Sequence, residues 1–129
     1  MPRIRAKNLF DSFKYALSGI GYTLKTQRNM RLHVAVGFMV FISGIYLNIS
    51  TGELALLVIV ASMVVVAEMF NTAVESTIDL YSRQRHPLAK IAKDVAAAAV
   101  LVSAISAAVV GLLILGPPFF DKLVYYLSK

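Results

Sequence analysis

Glu68, Asn71, Glu75 and Asp79 lie close together in a stretch that is otherwise mostly apolar. Relative to Glu68 the others are offset by three, seven and eleven residues. On an α-helix turning about 100° per residue they fall within roughly an 80° arc, so one face carries three carboxylates and an amide. Such a set can lock helices together through hydrogen bonds, conduct ions or protons, or form an active site that holds a divalent cation and takes a proton from an alcohol. A second set, Lys93-Asp94, adds a cation suited to phosphate. A third, Gln27-Arg28-Asn29-Met30-Arg31-Leu32-His33, is basic and amide-rich. His33 alone reads as a boundary residue rather than a ligand. Carboxylates for a cation, a Lys for phosphate and a deeper base are together the parts that phosphoryl transfer requires.

The elements that must carry these residues are membrane helices. Val34–Gly52 contains no charge, Leu54–Ala67 none, and Val95–Phe120 none. A span needs about 20 residues, so the first and third stretches suffice, and the second does if it continues past Glu68 to Leu80. The spacing predicts spans over about 32–50, 54–80 and 91–116 in a single domain over 1–129. Counting from Leu54 at ~1.5 Å per residue places Glu68 about 21 Å deep, roughly 9 Å short of the far side of a hydrocarbon core about 30 Å thick. Glu75 and Asp79 then reach the headgroups or the water beyond.

Composition supports this. The 129 residues are 58% hydrophobic and 16% charged, with a mean hydropathy of +0.71. Ordinary soluble domains carry about a quarter charged residues. Without cysteine there is no disulfide framework and no thiolate metal site. The net charge of +6 does not indicate nucleic acid, because eleven of the thirteen Lys/Arg lie in 1–31 and 81–93, flanking apolar stretches. Basic flanks of this kind suit anionic headgroups. They also place the N-terminus inside and the C-terminus outside. The first 30 residues hold no apolar core of signal-peptide length. The sequon Asn48-Ile49-Ser50 reads as chance.

Residues 9–27 repeat Phe10, Phe13, Leu17, Ile20 and Leu24 at steps of three and four, which predicts an amphipathic helix on the inner surface. Ala92, Ala96, Ala99, Ser103, Ala107 and Gly111 form a small-residue stripe suited to close helix packing. Beyond Gly116-Pro117-Pro118, Phe119, Phe120, Tyr125 and Tyr126 read as an outer aromatic belt. The chain has no G-x-x-x-x-G-K-[ST], H-R-D or D-F-G element, so the soluble kinase folds are excluded.

Glu68-Met-Phe-Asn71-Thr72-Ala-Val-Glu75, then Asp79, then Ala92-Lys93-Asp94 before an alanine run, resembles the bacterial diacylglycerol kinase family of small integral membrane lipid kinases. Ser12-Phe13-Lys14-Tyr15-Ala16 and Arg28-Asn29-Met30-Arg31-Leu32-His33 are similar to its undecaprenol kinase branch. The resemblance covers about residues 12–116. It implies an all-α membrane protein with three transmembrane helices and an amphipathic surface helix, working as a homotrimer in the bacterial cell membrane. It implies ATP and Mg²⁺, and a membrane lipid as acceptor. Position by position it implies Glu68 as the base, Asn71 as an active-site amide and Glu75 as a metal-binding carboxylate. Lys93 and Asp94 match nucleotide contacts, with Tyr15 nearby. One position departs: where the family has a second metal-binding Glu, this chain has Gln27, which offers an oxygen without charge.

The expectation is therefore ATP-dependent phosphorylation of undecaprenol at the cytoplasmic face, with diacylglycerol as the alternative acceptor. Two other classes stand beside it: a small proton or ion transporter, and a non-catalytic membrane assembly protein. Lys93-Asp94 discriminates, since a transporter has no need of a phosphate-binding pair.

Overall fold

A computed structural model describes residues 8–81 and 86–129. They form four helices: α1 (Leu9–Thr26), α2 (Arg28–Tyr46), α3 (Thr51–Tyr81) and α4 (Pro87–Leu127). No strand occurs among the described residues. Three of the helices, α2, α3 and α4, are long and apolar enough to cross a membrane. At ~1.5 Å per residue α3 extends about 46 Å and α4 about 61 Å, so both outrun a hydrocarbon core of about 30 Å. Arg3, Arg5, Lys7, Arg83 and Arg85, part of the charge argument for orientation, lie outside the described residues.

Each helix boundary has a local cause. Asn8 opens α1, its Oδ1 accepting from Asp11 N at 2.8 Å. A single extended residue, Gln27, separates α1 from α2, so Arg28–Arg31 form the first turn of α2 rather than an approach to it. Arg31 Nη1 donates to the carbonyls of Leu24 and Lys25 at 3.0 and 3.1 Å, satisfying the open end of α1.

The α2–α3 connection shows why the first span ends at Tyr46 and not near residue 50. Asn48 has φ 55, in the left-handed region. Its N–H donates to Ile45 O at 3.1 Å, and Ile49 N–H donates to Gly44 O at 3.2 Å. Together these make a Schellman stop, with Asn in the place glycine usually takes. The Ile49 side chain lies on Gly44, where an added Cβ would come within 2.9 Å of its Cδ1. The tripeptide that resembles a sequon is thus the helix stop itself. Ser50 and Glu53 then form a capping box: Ser50 N donates to Glu53 Oε2 at 2.8 Å and Glu53 N to Ser50 Oγ at 3.3 Å. That starts α3 at Thr51, three residues before the predicted span.

The last helix starts at Pro87, with His86 Nδ1 accepting from Leu88 N at 3.2 Å. It continues through Pro117-Pro118 to Leu127, beyond the predicted end of the span at 116. Two prolines deprive the preceding turn of donors. The far turns are held instead by Lys122, whose Nζ donates to Tyr46 O at 3.1 Å and lies 3.6 Å from the centre of the Tyr46 ring.

The third helix is central. It packs along α4 and against α2, whereas α2 and α4 touch little. Gly37 of α2 approaches Ala61 of α3 closely enough that an added Cβ would sit 3.6 Å from it. The buried side of α3 consists of Leu57, Val64, Glu68 and Thr72, spaced by seven, four and four. Two polar residues thus continue an apolar core stripe. Phe10, Phe13 and Leu17 on α1 are exposed in the chain by itself.

Candidate active site

The site is built on the second half of α3. Glu68 is only 3% exposed, although it is an acid in an apolar helix. It is buried because it shares a face with Leu57 and Val64, which the packing of α2, α3 and α4 turns inward. Thr72, also buried, spends its hydroxyl on the Glu68 carbonyl at 2.9 Å. Glu68 Oε1 is buried and makes no hydrogen bond among the described residues. The side-chain nitrogen facing it is His33 Nε2 on α2, 3.5 Å away.

One turn on, Asn71 Nδ2 donates to Glu75 Oε1 at 3.4 Å. Asn71 Oδ1 is buried with no hydrogen-bond partner among the described residues. Native structures seldom leave such atoms unsatisfied, so two orphaned oxygens one turn apart mark a place shaped for something else. Beyond Glu75, Asp79 is exposed and forms an ion pair with Lys93 of α4. Lys90 Nζ donates to Asp94 Oδ2 at 2.6 Å on the α4 surface.

Hence Glu68, Asn71 and Glu75 come together on one face, and Lys93 is joined to that face through Asp79. Asp94 is engaged with Lys90 rather than with the stripe. Tyr15 is exposed on α1. Gln27 is half-buried at the α1–α2 joint, and its side chain makes no capping hydrogen bond. His33 is the participant that the sequence left at the boundary. It lies six residues from Gln27, and only the docking of α2 on α3 shows that it faces Glu68.

No cluster of three or more His, Asp and Glu suited to a metal exists among the described residues. The donors present still fit Mg²⁺ held jointly with a nucleotide. That ion commonly takes one or two protein carboxylates and draws its other ligands from phosphates and water. Glu75 and the orphaned Asn71 Oδ1 are hard oxygen donors of that kind.

A groove of about 640 Å³ runs between α2, α3 and α4. His33 lies at one end, and Phe119 and Phe120 line the other. Between them the walls are apolar or small, with Ser43 as the other polar side chain. Ala107 and Gly111 of the predicted small-residue stripe line it, so part of that stripe makes room rather than contact.

The family model for prokaryotic diacylglycerol kinase matches residues 14–115. The chain belongs to the prokaryotic diacylglycerol kinase family. It is 43% identical over 120 residues to a diacylglycerol kinase of Synechocystis sp., covering 92% of this chain and 69% of the relative. It is 39% identical over 115 residues to an undecaprenol kinase of Bacillus subtilis, covering 89% and 94%. A diacylglycerol kinase of Pseudomonas aeruginosa matches at 32% over 97 residues, covering 75% and 79%. The protein is thus a lipid kinase and a multi-pass bacterial membrane protein, using ATP on a membrane lipid. Transport and passive assembly give way to phosphoryl transfer.

Proposed function

We propose that this kinase phosphorylates undecaprenol to undecaprenyl phosphate at the cytoplasmic face, with Glu68 as the base. One observation carries the reading. The buried carboxylate of Glu68 lies beside His33 near the end of an apolar groove, and the polar groups that follow it along α3 lead towards water. A lipid hydroxyl arriving from the groove and ATP arriving from water meet at that level.

The lipid oxygen attacks the γ-phosphorus in line, the bond from that phosphorus to the β–γ bridging oxygen breaks, and ADP leaves. The hydroxyl proton passes to Glu68. Asn71 holds Glu75 and would offer its own oxygen to the metal. Glu75, with Gln27 as a neutral second donor, would hold Mg²⁺, which supplies charge neutralisation on the phosphates. Lys93 binds phosphate, and Asp94 and Tyr15 complete the nucleotide contacts. Asp79 holds Lys93 at the mouth of the site.

Support for undecaprenol comes from the Arg28-Asn29-Met30-Arg31-Leu32-His33 pattern. The 43% identity to a protein named diacylglycerol kinase favours the second acceptor. Basic residues on the acidic side of the bundle support a cytoplasmic site. A homotrimer belongs to the same proposal through membership of the family.

Purified protein, labelled ATP and either undecaprenol or diacylglycerol in mixed micelles decide the matter. Preferential labelling of undecaprenol is expected. Preferential labelling of diacylglycerol would replace the acceptor, and labelling of neither would overturn the reading.

A further inference from the structure

His33 lies at the end of the groove, beside the base. Glu68 does not line the groove, whereas His33 does. His33 is 28% exposed at its side chain and faces a carboxylate that is 3% exposed. The other polar groups nearby are committed elsewhere: Thr72 Oγ1 to the Glu68 main chain, and Asn71 Nδ2 to Glu75. Glu68 Oε1 therefore has no hydrogen-bond donor in place, and a single side-chain nitrogen is poised in front of it.

We propose that His33 is a positioning residue for Glu68, its imidazole anchoring one carboxylate oxygen so that the other faces the lipid hydroxyl at the end of the groove. This rests on Glu68 being the base. A carboxylate has two oxygens and a soft terminal torsion, so without an anchor it samples orientations that do not accept the proton. Misplacement of a reacting group by about 1 Å can lower a rate by about 100-fold. The 3.5 Å separation is long for a hydrogen bond, and catalytic hydrogen bonds commonly tighten only when substrate is bound. Because His33 lies on α2 and Glu68 on α3, the anchor also couples the base to the helix that forms the opposite wall of the groove.

A packing role and an anchoring role are separated by substitution. Gln places an amide nitrogen near the position of Nε2, whereas Leu fills the space without a donor. His33→Gln is expected to keep kcat within about threefold of the parent, and His33→Leu to lower it by tenfold or more. The KM for ATP should be unchanged in both. In a Glu68→Gln background, His33→Leu should have no further effect, because the anchor acts through the carboxylate. Should His33→Leu fail to assemble in detergent, His33→Asn takes its place. Its amide is one bond shorter and falls short of Oε1, so it should behave as Leu. Equal loss in the Gln and Leu variants, or full kcat in Leu, overturns the proposal. Full activity of Glu68→Gln instead overturns the base assignment beneath it, whereas an inactive Glu68→Gln beside a fully active His33→Leu overturns the anchor alone.

Discussion

At the scale of single residues, the site is a series graded from dry to wet. Glu68 is enclosed, Asn71 and Glu75 are half-buried, and Asp79 is exposed. Glu68→Gln removes the proton acceptor while keeping shape and hydrogen-bonding capacity. Turnover should fall by a factor of about 100 or more, with assembly and helix content unchanged by size-exclusion chromatography and circular dichroism. Asp79→Asn releases Lys93 from its ion pair. The KM for ATP should rise several-fold while kcat for bound substrate changes little, which steady-state kinetics at varied ATP would show. An unchanged KM would leave Asp79 without a role in nucleotide binding. Gln27→Glu should lower the Mg²⁺ concentration that gives half-maximal activity, since it adds a charge to a neutral donor. The acidic face was legible in the sequence because helical periodicity alone puts these residues together. Pairings across helices were not. Nothing in the spacing of His33 and Glu68, or of Asp79 and Lys93, encodes which faces of neighbouring helices meet.

Among the helices, the most informative join is Asn48–Glu53. Four residues, Leu47–Ser50, separate α2 from α3, yet they satisfy both helix ends from within. Ser50→Ala should destabilise the protein by about 0.5–2 kcal/mol through loss of the cap, leaving kcat unchanged, as measured by thermal unfolding in detergent beside the kinase assay. Asn48→Gly should be neutral or slightly stabilising at φ 55, and Asn48→Val destabilising. The capping pair Ser50-x-x-Glu53 is present in the sequence, but hydropathy marks Glu53 only as a break between two charge-free stretches. The continuation of α4 through Pro117-Pro118 was less accessible. Local rules favour a break there, and the lysine that holds the far turns contacts a tyrosine 76 positions away.

Taken whole, the molecule has a central helix flanked by two others that scarcely meet, with the apolar groove in the gap. Ala108→Leu puts bulk into that gap without touching the acidic face. It should raise the KM for the lipid several-fold and leave the KM for ATP alone, and parallel titrations of the two substrates would show it. Three apolar spans and their charged flanks could be read from composition. The groove could not, because it depends on small residues of α4 facing α2 and α3 across a space that no sequence pattern records. The Lys122–Tyr46 contact gives this layout a mechanical character. It rivets α2 to α4 at the end remote from Glu68, while the same two helices are barely joined elsewhere. Away from that rivet α2 and α4 are held through α3, so the width of the gap beside His33 is set by how each of them seats on the central helix.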